Sequence, residues 1–232
     1  MKEILTAGLT ALGLDTSAAD KLEQYAALLL EKNKVMNLTA ITEARDVATL
    51  HLLDCAALLP RMELAGKQVI DVGTGAGFPG MVLAILEPRA HFTLLDSLGK
   101  RVDFLREVCD ALALRNVTCV HARAEEFAAA HREAFDAAAS RAVAQLNVLC
   151  ELTLPLIRVG GQFAAMKSVS TDEEIRQAHS AIAQLGGRLG AVTDYTVPET
   201  DVVHRIVTIE KEKATPKQFP RAFARIKKAP LV

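Results

Sequence analysis

The sequence predicts an α/β fold, a mostly parallel seven-stranded sheet covered by helices on both faces, with a helical extension at its amino-terminal end. Three observations carry this reading. From residue 69 onward, short apolar runs at 69–73, 91–96, 117–121, 135–140 and 161–167 alternate with stretches of helical spacing. The first run enters a glycine-rich turn, "VIDVGTGAGFPG" over residues 69–80. The first sixty residues, by contrast, read as helices. Strands that alternate with helices must be joined by crossovers, which places the strands parallel and buries both sheet faces.

The elements follow in order. Asp15 or Ser17 can cap a helix in which Leu22, Tyr25 and Leu29 share one face, and that helix ends near residues 32–41. A second helical stretch, "EARDVATLHLLDCAALLP", stops at Pro60, and residues 61–67 read as a link. Helical stretches are expected at 79–87, 99–113, 124–131, 145–157 and 171–185, one after each apolar run. Pro79 suits the first position of its helix, where a missing N–H costs nothing. Runs at 188–197 and 202–209 have no clear helix between them, which implies one antiparallel strand at the sheet edge. The organisation read from this is a helical extension over 1–66, a ligand-binding domain over 67–210 and a basic tail over 211–232.

Half of the 232 residues are apolar and 24% are charged, an ordinary globular balance. No apolar run approaches the roughly 18 residues that span a bilayer, and the start "MKEILTAGLT" lacks a signal-peptide pattern. A cytoplasmic protein without membrane contact is expected. Cys55, Cys109, Cys119 and Cys150 have no zinc-ligand spacing, so no metal is expected. The net charge of −1 hides an uneven distribution. Residues 211–232 carry 7 Lys and Arg against 1 acidic residue, a cationic tail of the kind found both on proteins that meet nucleic acid and on merely solvated termini.

The glycine turn poses a choice of nucleotide. A dinucleotide fingerprint is G-x-G-x-x-G, whose last Gly packs helix on strand beneath a pyrophosphate. Here Gly73, Gly75 and Gly77 fall as G-x-G-x-G after Asp71, the spacing of S-adenosylmethionine-dependent methyltransferases. That ligand has no phosphate, and the loop's task is to clear side chains so that backbone can approach it. Asp96 ends the next strand, 23 residues after Gly73, and can accept hydrogen bonds from both ribose hydroxyls of either nucleotide. "ARAEEF" follows the third strand, placing Ala124 and Glu125 where an adenine edge is read.

Some methylation chemistries are excluded. No Cys follows a Pro, which removes the usual nucleophile for pyrimidine carbon methylation. "SRAVAQLN" stands where exocyclic-amine methylation shows [N/D]-P-P-[Y/F]. An acceptor nucleophilic without assistance remains, such as guanine N7, which has a lone pair and no proton to lose. Catalysis would then be chiefly approximation. A small-molecule methyltransferase, an NAD-dependent oxidoreductase and a non-catalytic RNA-binding assembly factor stand as alternatives.

"MNLTAI" (36–41), "HLLDC" (51–55), the glycine turn, "HFTLLDSLGKRVDFL" (91–105), "ARAEEF" (122–127), "SRA" (140–142) and "MK" (166–167) occur in that order. With these the chain resembles the bacterial RsmG family, also called GidB, over residues 20 to about 210. The resemblance implies a Rossmann-like class I methyltransferase that uses S-adenosylmethionine to methylate a guanine N7 of 16S ribosomal RNA, with that RNA or the small ribosomal subunit as partner and the chain acting as a monomer. It also implies that Gly73, Phe78, Ala124, Glu125 and Arg141 contact the cofactor, with Arg141 facing the methyl end and orienting the reaction. Phe78 is a candidate stacking partner for the base. Lys167, at the end of the fifth strand, could meet a phosphate. His51 and Asp54, three apart, share a helix face, which the family places beside the cleft; spacing alone favours a structural hydrogen bond. The chain departs from the family's "LDS" with "LDC", from its "KG" with "KS", and from its tail pattern R-x-x-G-x-P-x-K-x-P-L with "RAFARIKKAPL". Arg221, Arg225, Lys227 and Lys228 keep the tail's charge for RNA.

Overall fold

The computed structural model describes residues 1–141 and 143–232, so Ala142 of the "SRA" match lies outside the described residues. Seven strands, β1 (Gln68–Val72), β2 (His91–Asp96), β3 (Val117–His121), β4 (Phe135–Arg141), β5 (Ile157–Ser168), β6 (Gly187–Thr196) and β7 (Val203–Lys211), form one sheet in the order β3-β2-β1-β4-β5-β7-β6. β3, β2, β1, β4 and β5 pair in parallel. The order reverses between β1 and β4, and the crevice outside their carboxyl ends is where such sheets take ligands. The helices following the strands are α5 (Gly80–Leu86), α6 (Gly99–Ala111), α7 (Ala124–Ala130), α8 (Leu146–Thr153) and α9 (Asp172–Gln184).

The antiparallel strand expected at the edge lies one position in. β7 pairs antiparallel with both β5 and β6, and β6 is the edge strand. The crossover through α9 carries the chain one slot beyond β5, and the hairpin return fills the gap. β5 begins at Ile157, four residues before the apolar run that announced it, because Leu154–Leu156 forms a short 3₁₀ turn leading straight into pairing with β4.

Side chains alternate across the sheet, and two hydrophobic clusters result. Val69, Phe92, Leu94, Ala137 and Ala164 face one cluster; Ile70, Val72, Leu95, Ala138 and Phe163 face the other. The amino-terminal helices α1 (Lys2–Ala11) and α2 (Ala19–Met36) belong to the first cluster, with Leu5, Leu9, Leu22, Tyr25 and Leu29 fully buried beside Phe92 and Leu94. The helices of residues 1–66 thus share a hydrophobic cluster with one face of the sheet. α3 (Ala44–Asp46) and α4 (Asp54–Ala56) flank a π-helical stretch, Val47–Leu53. Widened turns of this kind recur at functional sites, and this one carries His51.

The tail is likewise folded onto the body. β7 runs one residue past the expected boundary, and Lys211 is buried, its ammonium donating to the Leu154 and Ile157 carbonyls and to Thr215. No Gly or Pro interrupts residues 221–229, and α10 (Phe223–Lys228) forms there with Ile226 buried.

Candidate active site

The glycine loop is held from below. Asp71, one residue before the end of β1, is fully buried, and its Oδ2 accepts from the Thr74 hydroxyl at 2.6 Å and the Gly80 N–H at 2.8 Å. Its Oδ1 has no hydrogen-bond partner. Burial pushes this carboxyl up to about 6, the two hydrogen bonds opposing. Gly77 sits at φ +110°, where a Cβ would lie 2.6 Å from the Tyr25 hydroxyl and 2.9 Å from Met81, so no larger residue fits. The Tyr25 hydroxyl in turn donates to the Ala76 carbonyl at 2.6 Å, tying α2 to the loop. Asp96 completes the frame, accepting from the Gly75 N–H at 2.9 Å and the Leu98 N–H at 2.8 Å.

Above the ends of β1 and β2 opens a cavity of about 150 Å³. Gly73, Asp96, Ala124 and Glu125, four of the residues expected at the cofactor, line it together. The sequence reading missed the apolar walls contributed by Val143, Leu152 and Phe223; their only signal was the spacing of ordinary core residues. Gly75 and Gly77 shape the loop without lining this cavity. Phe78 lies elsewhere: it is only 7% exposed, stacked on His51 at 4.5 Å, tilted against Tyr25 at 5.7 Å and covered by the Arg141 guanidinium at 4.6 Å. His51 and Arg141 thus cover the face of Phe78 on which a base was expected to stack.

A second cavity, of about 460 Å³, lies at the ends of β4 and β5 and is lined by His51, Asp54, Arg141, Lys167, Glu174 and His204 among others. Its centre is a buried charge network. Asp54, 2% exposed, accepts from Arg141 at 3.0 Å, from the Tyr195 hydroxyl at 2.7 Å and from His204 Nδ1 at 2.8 Å. These donors hold its carboxyl below the usual range in spite of burial, and Asp54 raises the pKa of His204. Arg141 also donates to the Leu50 carbonyl and to His51 Nδ1, each at 3.0 Å. Burial and the neighbouring Arg141 depress His51 to about 4, so the ring is neutral at pH 7. With Nδ1 accepting, Nε2 carries the proton and donates to Thr39 Oγ1 at 2.7 Å. The "MNLTAI" and "HLLDC" segments thus meet "SRA" in one network, whereas Tyr195 and His204 carried no sequence signal.

Two residues expected to meet RNA are committed within the protein. Lys167 donates to the Ala144 carbonyl at 2.6 Å and pairs with Glu174. Arg221 forms a two-pronged pair with Glu151, Nε at 2.7 Å and Nη2 at 2.6 Å, and Glu151 is fully buried. A buried carboxylate needs its counter-ion, so Arg221 is an internal tie. Arg225, Lys227 and Lys228 are exposed and form no ion pair among the described residues.

The smaller cavity combines apolar walls, which suit a flat heterocycle, with carboxylates that can accept from sugar hydroxyls. These features fit S-adenosylmethionine. Replacing Asp96 with Ala removes the ribose acceptor and the Gly75 tie together, and is expected to weaken adenosylhomocysteine binding by about 2 kcal/mol in calorimetry. Unchanged affinity would place Asp96 outside the site.

Solved structures share this architecture. An S-adenosylmethionine-dependent methyltransferase from Aquifex aeolicus superposes with a TM-score of 0.53 at 17% identity, over 78% of this chain and 97% of that one. M. jannaschii TYW2 in complex with AdoMet gives 0.52 at 14% identity, over 64% and 69%. The fold and the site define a class I S-adenosylmethionine-dependent methyltransferase. The model of the GidB family, rRNA small subunit methyltransferase G, matches residues 18–203. Proteins named ribosomal RNA small subunit methyltransferase G are 46% identical in Clostridium perfringens, over 89% of this chain and 88% of the relative, and 44% identical in Alkaliphilus metalliredigens, over 99% and 98%. This chain belongs to the rRNA small subunit methyltransferase G family.

Proposed function

We propose that this protein methylates N7 of a guanine in 16S ribosomal RNA, with S-adenosylmethionine bound over the glycine loop and the base in the larger cavity. The observation that carries this is the lining of that cavity. Glu174, whose Oε1 is held by Lys167, lines it with a carboxylate that can accept from N1–H of guanine, and a contact on that edge leaves N7 free. No cysteine is among the residues lining either cavity, and burial pushes the Cys55 and Cys150 thiols up, away from the nucleophilic thiolate.

When bound, the donor supplies an electrophilic methyl group on a sulfonium. The protein's own residues orient. Asp54 and His51 hold the Arg141 guanidinium against the face of Phe78, fixing one wall of the base cavity. N7 carries no proton, so no residue has to remove one, and His51, neutral and bonded through both nitrogens, is not placed as a base. The methylated ring is cationic, and the Glu174 carboxylate beside it offsets that charge.

Arg225, Lys227 and Lys228 would bind phosphate, and the protein would work as a cytoplasmic monomer; no helix among the described residues is long and apolar enough to cross a membrane. Changing these three cations to Gln is expected to reduce the slope of log affinity against log salt by about 2–3, the counterions no longer released. An unaltered slope would remove the tail from the RNA surface. The activity itself is tested by labelled methyl transfer to 16S rRNA and to small subunits, followed by nucleoside mass mapping. 7-Methylguanosine is expected; transfer to another atom, or none, overturns the assignment.

A further inference from the structure

We propose that Phe223 is a donor-binding residue, so that the C-terminal segment is a wall of the S-adenosylmethionine pocket as well as a cationic surface. This rests on reading the smaller cavity as the donor site. Phe223 lines it together with Asp96, Ala124 and Glu125. Among the described lining residues it is the only aromatic one. The Arg123 guanidinium lies 5.8 Å from its ring centroid.

The position of the ring is set from both ends of its helix. Before α10, Arg221 is clamped to buried Glu151, and Arg132 donates to the Phe219 carbonyl at 2.7 Å and the Pro216 carbonyl at 3.0 Å. After it, Arg221 Nη1 reaches the Ala229 carbonyl at 3.0 Å, and the Asn147 amide reaches the Leu231 carbonyl at 2.9 Å. Between them Ile226, fully buried, anchors the helix face it shares with Phe223 at a spacing of three. A solvated arm would need none of these ties. An aromatic side chain held in place beforehand loses little freedom when a heterocycle packs on it. Deleting the tail would therefore remove donor affinity along with its cations.

The test is calorimetry on the full chain with adenosylhomocysteine and with 5′-methylthioadenosine. Phe223→Ala is expected to weaken both by about the same factor, roughly tenfold, the loss of one well-packed apolar contact. Wild-type affinity for both ligands in that variant overturns the role of Phe223. A wild-type chain that binds neither ligand overturns the donor-site reading instead. Should Phe223→Ala fail to fold, hydrogen exchange on the wild-type chain decides: amides of residues 221–229 are expected to slow when adenosylhomocysteine is added, and unchanged exchange overturns the proposal.

Discussion

Replacing Asp54 with Ala is expected to destabilise the fold by about 3–5 kcal/mol, the usual cost of stripping the counter-ion from a buried charge. The carboxylate is the one acceptor shared by Arg141, Tyr195 and His204. Without it the Arg141 guanidinium, 14% exposed at the side chain, retains only the Leu50 carbonyl and His51 Nδ1. Methyl transfer should fall by about a hundredfold or more, because a guanidinium displaced by about 1 Å no longer defines the base cavity. Denaturant unfolding at neutral pH and single-turnover transfer measure the two effects. The double variant Asp54→Ala with Arg141→Met should recover part of the stability and none of the activity, since it removes both ions. A single-variant loss below about 1 kcal/mol would mean that Arg141 does not depend on this partner. The pH response follows the same logic. Asp54 has a lowered folded pKa, so its contribution is present above the unfolded value of 3.8 and is lost as pH falls through the folded one. The raised pKa of His204 acts oppositely, its contribution being lost as pH rises through the folded value.

Asp71→Asn should separate stability from binding. Both hydrogen bonds made by Asp71 end on Oδ2, and an amide oxygen there can accept both. The amide nitrogen would then replace the unpartnered Oδ1. Because burial raises the folded pKa from 3.8 to about 6, ionising Asp71 costs stability as pH rises through that window. The variant avoids this cost and should be more stable at pH 7.5 by on the order of 1–3 kcal/mol, with little difference near pH 4. Its affinity for S-adenosylmethionine should stay within about twofold of wild type, because Asp71 is fully buried and does not line the donor cavity. Chemical unfolding at the two pH values checks the first statement, and calorimetry checks the second. An equal stability gap at both pH values would show that Asp71 is not the titrating group, and an affinity loss of about tenfold would show that the donor senses it.

The mixed legibility of this chain has physical causes. The five parallel strands, the glycine turn and the carboxylate ending β2 were all readable, because each is written within a dozen neighbouring residues. Gly73, Asp96, Ala124 and Glu125 converge on one cavity because successive strands of a parallel sheet deliver their carboxyl ends to the same edge. Phe78 follows the glycine loop directly, but its packing against α2, the π-helical stretch and β4 comes from residues distant in the chain. Lys167 and Arg221 were read as free cations because a charge run does not reveal which of its members has a buried carboxylate opposite.

Local pattern alone therefore settled the sheet class, the glycine turn and the family, since alternation, glycine spacing and contiguous motifs act over short chain distances. Packing decided the position of β7, the Asp54 network and the folding of the tail against the smaller cavity. Tyr195 and His204 reach Asp54 from 141 and 150 residues away, and Arg221 reaches Glu151 across 70. Such pairings depend on which surfaces close on one another once water is expelled, and no periodicity in the chain encodes that.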